Sequence, residues 1–96
     1  MTTATGQAAE ILCRIDHLRD LLQGQVLVSQ NRWVDHCLDL FNLVEQPPLR
    51  RVVKTILSDV RNLCSVEARW LSDQLEMLAA AVEIESAFDE VASPAR

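Results

Sequence analysis

The chain has 96 residues, 49% of them hydrophobic and 24% charged, with two glycines and three prolines. That is one domain at most, too apolar to stay disordered and too poor in turn residues for a small all-β fold. A formal charge of −5 and an aromatic content of 4% without tyrosine disfavour nucleic acid or an anionic membrane as the main partner.

The first segment is helical in period. Ala8, Ile11, Ile15, Leu18 and Leu22 recur at alternating steps of three and four residues, which puts them on one stripe. Thr5 is the expected N-cap. Gly24 is the expected stop, because glycine takes the left-handed conformation that ends helices; the alternative, given the Val26-Leu27-Val28 run, is a helix one turn longer that ends before Ser29. A second helix is expected from Ser29 or Asn31 to just before Pro47, with Trp33, Cys37, Leu40 and Val44 on one stripe and Val34, Leu38 and Phe41 beside it. Pro47 disfavours helical geometry at Gln46, and Pro48 suits the first turn of a new helix.

No glycine or proline interrupts Leu49 to Ser93. Drawn as one helix, the segment carries Leu49, Val53, Ile56, Leu57, Val60, Leu63, Cys64, Leu71, Leu75, Leu78 and Val82 on one side. The pattern favours a single long helix, with two helices joined near Ser65 as the alternative. About 42 residues at 1.5 Å each span roughly 63 Å, far more than a compact chain of this size covers. A hairpin of helices 1 and 2 would then leave Leu71, Leu75, Leu78 and Val82 bare, at roughly 1.5–3 kcal/mol each. Those four, with Trp70 at the stripe's edge, are the candidate interface of a homodimer or higher oligomer. The polar face changes sign along its length, and Arg50, Lys54 and Arg61 could pair with Glu76, Glu83 and Glu90 of an antiparallel second copy. Such pairs would choose orientation more than strength.

Few residues invite chemistry. Glu67 falls on the apolar side, where a buried carboxylate would need a cation such as Arg14, Arg19 or Arg32. Asp16 and His17, like Asp35 and His36, are sequence neighbours that do not face each other on a helix. No Cys-x-x-Cys, His-x-x-x-His or Glu-x-x-His pair is present, and those are spacings that put two metal ligands on one helical face. Cys37 and Cys64 read as small core residues. No catalytic residue, metal or cofactor is therefore assigned, and the chain is not expected to be an enzyme. The odd cysteine count and wide spacing suggest no disulfide framework. With no membrane-length apolar run and no signal-peptide pattern, the expected location is cytoplasmic.

In composition and period alone, Leu49 to Leu78 resembles the export chaperones of flagellar and type III secretion systems. The resemblance implies an adaptor or chaperone and assigns no residues. The reading is thus all-α: a helical hairpin packed on a long third helix in an oligomeric, coiled-coil-like bundle, one domain over residues 1–96 with flexible ends at 1–6 and 93–96. Its expected function is non-enzymatic protein binding, as an adaptor, regulator or dedicated chaperone that also binds itself. The alternative is a ligand-binding or regulatory bundle that contacts nucleic acid through Arg50, Arg51, Lys54 and Arg61.

Overall fold

The computed structural model describes residues 3–92, with side chains from Gln7 to Ala87. The described chain is predominantly helical. Four helices, α1 (Thr3–Leu22), α2 (Gln30–Leu43), α3 (Pro47–Asn62) and α4 (Ala68–Ala92), are joined by two-residue strands, β1 (Leu27–Val28) after α1 and β2 (Val66–Glu67) before α4. The expected flexible ends at residues 1, 2 and 93–96 lie outside the described residues, and residues 3–6 belong to α1.

Backbone chemistry sets most helix ends. Helix α1 starts ahead of Thr5, which is therefore not its cap. It stops before Gly24, whose φ of 79° is in the left-handed region. The Ser29 side chain caps α2 by accepting a hydrogen bond from the Arg32 N–H. Pro47 and Pro48 occupy the first turn of α3, where their missing N–H groups cost nothing.

The segment after Pro48 is two helices, not one. Asn62, Cys64, Ser65 and Val66 are all poor helix formers, and together they yield where tertiary packing favours a turn. The chain reverses through Leu63–Glu67, and Val66 pairs antiparallel with Val28 while Glu67 pairs with Leu27. The Ala68 N–H donates to the Val26 carbonyl at 2.9 Å and extends the ladder. Cys64 and Glu67 consequently stand in solvent, and Leu63 is partly exposed. The expected core role of Cys64 and the buried carboxylate at Glu67 are therefore not found.

The turn decides what covers α4. Arg19 and Leu22 lie near Ala68 and Ser72, while Ala8 and Ile11 lie near Val82, so α1 and α4 run antiparallel. Likewise Gln30 reaches the end of α3 and Arg50 reaches the end of α2, so α2 and α3 form an antiparallel hairpin. The most extensive pairings are α1 with α4 and α2 with α3, while α1 also meets α2, the Gln7 amide donating to the Leu43 carbonyl at 3.1 Å. One core joins them: Ile11, Ile15, Leu18 and Leu22 from α1, Trp33, Cys37, Leu40 and Val44 from and just after α2, Val53, Ile56 and Val60 from α3, and Leu71, Leu75, Leu78 and Val82 from α4. Among the described residues it contains no buried charged or polar side chain.

Two side chains tie the hairpin reciprocally. The Gln30 amide at the start of α2 donates to the Val60, Arg61 and Leu63 carbonyls at 2.7, 2.9 and 3.0 Å. Those carbonyls are left without helical partners by the break after α3. Arg50, in the first turn of α3, donates to the Val44 carbonyl at 2.9 Å and the Phe41 carbonyl at 3.4 Å, with its guanidinium 3.9 Å above the Phe41 ring. Each helix of the hairpin thus terminates the other.

Candidate interaction surfaces

The break relocates the expected interface. Leu71, Leu75, Leu78 and Val82 are each 1% exposed or less, covered by the rest of the same chain. The inference of self-association from an uncovered stripe rests on a single long helix, and this geometry removes it. Trp70 differs from the other four: it is only half-buried, packed against the edge of the core.

The expected charge pairing between copies is also redrawn. Arg50 is engaged by the end of α2, whereas Lys54, Arg51 and Arg61 are exposed on α3. Glu76 lies 3.9 Å from Arg19 of the same chain, with both side chains partly in water. Such a contact contributes little. Glu83 is exposed, and the side chain of Glu90 lies outside the described residues.

Residues that could do chemistry remain scattered. Among the described residues no three His, Cys, Asp or Glu side chains form a group that could hold a metal ion. Cys13 and Cys64 are exposed and Cys37 is buried, all as free thiols. Burial pushes the Cys37 thiol up to about 11 from its ordinary 9.0, because the interior penalises the thiolate. A cysteine held as a neutral thiol is a packing residue rather than a nucleophile. His36 packs edge-on against Trp33 with ring centroids 4.9 Å apart. Among the described residues no helix is long and apolar enough to cross a membrane.

A surface not foreseen from the sequence is an open cleft of about 670 Å³ where the end of α1, β1 and one face of α2 meet. Leu21, Leu27, Val28 and Trp33 give it apolar walls, and Arg32, Asp35, His36 and Asp39 line its polar side. Leu21 is 43% exposed and Leu27 55%, and next to them Val26 is 80% exposed. Asp35 and Asp39 stand one helical turn apart and make no ion pair among the described residues. The cleft therefore offers apolar area beside two carboxylates, with Arg32 on the same polar side. The sequence signal was available: an Asp-x-x-x-Asp step beside Trp33, after an apolar Val26-Leu27-Val28 run that leaves the helix.

No known protein family matches the chain, and no curated protein and no solved structure is significantly similar to it.

Proposed function

We propose that the protein is a non-enzymatic interaction module, an adaptor, regulator or small dedicated chaperone, that binds another protein through the α1–β1–α2 cleft. The observation that carries this reading is solvent exposure of Leu21 and Leu27 together at a concave surface, with exposed Val26 next to Leu27 in the chain. Contiguous exposed apolar area beside polar residues marks interaction sites. A bound partner would dehydrate these side chains and meet Asp35 and Asp39 at the rim.

A photo-crosslinking amino acid at position 27, compared with one at exposed Ser58 on α3, tests the proposal in the protein's own cells. One protein should crosslink from position 27 and not from 58, and Leu21→Asp should abolish it. A second reading, a ligand-binding bundle, is favoured by the cleft volume, which lies within the range of small-molecule sites. Crosslinking to no protein, with a small molecule co-purifying and lost in Leu21→Asp, would overturn the first reading in favour of the second.

A further inference from the structure

Helix α4 has a second apolar face, opposite the one that packs on the core. Trp70, Met77 and Ile84 recur at intervals of seven residues, with exposed Ala80 between the last two, and Trp70 at the start of the line also packs on the edge of the core. Met77 is 62% exposed and Ile84 58%, while Trp70 is half-buried. Seven-residue spacing keeps side chains along one line of a helix, one of the two positions that a two-helix contact repeats. The inner stripe of Leu71, Leu75, Leu78 and Val82 is already buried. The outer seam is therefore additional to what the fold requires.

Charge decides what the seam accepts. Glu76 and Glu83 directly precede Met77 and Ile84, so an exposed acidic edge runs beside the seam. From Ala68 to Ala87, α4 carries Asp73, Glu76, Glu83 and Glu85 against a single base of its own, Arg69, and Arg19 of α1 lies 3.9 Å from Glu76. A second copy of α4 would bring the same acidic residues against these, which like-charge repulsion opposes. A helix with lysine or arginine along one edge would find attraction instead.

We propose that the outer face of α4 is a docking seam for one amphipathic, basic helix of another protein, seated on Trp70, Met77 and Ile84 and held in register by Glu76 and Glu83. This surface is separate from the α1–β1–α2 cleft.

The test uses the whole protein and a synthetic helical peptide of about three heptads, with leucine at the seam positions and lysine at the flanking positions. The lysines also keep the peptide from pairing with itself. Controls are a scrambled peptide of the same composition and a copy with glutamate for lysine. Titration calorimetry should show saturable one-to-one binding of the lysine peptide only, and the emission of Trp70 should shift to the blue as it is covered.

Met77→Gln with Ile84→Gln should abolish binding. Glu76→Lys with Glu83→Lys should weaken the lysine peptide on the order of tenfold and admit the glutamate peptide, with the effect shrinking as salt rises. All four substituted residues are exposed, so circular dichroism should report an unchanged fold. Leu27→Asp in the cleft should leave peptide binding intact, which separates this proposal from the preceding one. Equal binding of the scrambled peptide, or no saturable binding, overturns the proposal. So does a homodimer in light scattering that Met77→Gln with Ile84→Gln dissociates, since the occupant would then be a second copy.

Discussion

Replacing Gln30 by methionine keeps its length and volume but removes both amide hydrogens that serve the end of α3. Three carbonyls then lose a donor, and they do not lose it equally. The bond to Val60, at 2.7 Å, is partly shielded, whereas those to Arg61 and Leu63 are exposed and water can replace the amide. A shielded acceptor left unpaired costs roughly 1–1.5 kcal/mol, and the two rehydrated ones together add at most about 0.5 kcal/mol. The expected loss is about 1–2 kcal/mol.

For a domain of this size each kcal/mol moves the melting temperature by roughly 4–8 °C. Gln30→Met should therefore lower Tm by about 5–15 °C. Urea unfolding at constant slope should give a midpoint lower by roughly 0.5–2 M. Gln23→Met is the control: its side chain makes no hydrogen bond or ion pair among the described residues, so its effect should stay within about 0.5 kcal/mol. Amide hydrogen exchange adds a local check, since the Ala68 N–H, bonded to Val26 just beyond the break, should lose protection in Gln30→Met. A Gln30→Met midpoint within about 0.2 M of wild type at unchanged slope would refute the idea that this amide stabilises the break.

Two further outcomes test the packing. Leu75→Ala, at a side chain 1% exposed, should cost about 2–5 kcal/mol in denaturant unfolding, with a midpoint independent of protein concentration; a midpoint that climbs with concentration would mean a subunit interface shields Leu75 instead. Cys13 and Cys64 should react quickly with a thiol reagent and Cys37 only on unfolding. Its folded pKa of about 11 stands above the ordinary 9.0. The neutral thiol therefore favours the fold fully below pH 9, and that contribution disappears between about pH 9 and 11 as the unfolded chain ionises first. The slope in this window should reach about 1.4 kcal/mol per pH unit and be absent in Cys37→Ala, and an equally steep fall in that variant would assign it to other groups.

Features fixed by local backbone chemistry are legible in the sequence. Gly24, Ser29 and the Pro47–Pro48 pair each mark a boundary that the structure reproduces, because φ preference, side-chain capping and a missing N–H act within one turn. Apolar periodicity likewise identifies most of the core, from Ile11 and Ile15 to Leu78 and Val82. The break at 63–67 leaves no such mark. Asn62, Cys64, Ser65 and Val66 each disfavour a helix by only tenths of a kcal/mol, and the apolar phase continues past them from Val60 to Leu71. What favours the turn is burial of α4 against α1, more than forty residues away in the chain, together with the carbonyl partners that Gln30 supplies from α2. The cleft escaped notice for a related reason. Leu21 lies off the stripe of α1, and only the paths of α1 and β1 bring it beside Leu27 on the surface.

Pairing α1 with α4 also sets an order of events during synthesis. Helix α1 leaves the ribosome early, and its stripe of Ile11, Ile15, Leu18 and Leu22 finds its main cover only when α4 follows. At about 5–20 residues per second, that interval lasts roughly 3–12 s. Helices α2 and α3 are neighbours in sequence, so both partners of their hairpin are made before α4. The apolar stripe of α1 thus stays partly uncovered until α4 has been made. Slow codons after α3 would prolong that exposure, and a ribosome-bound chaperone would find its substrate in α1.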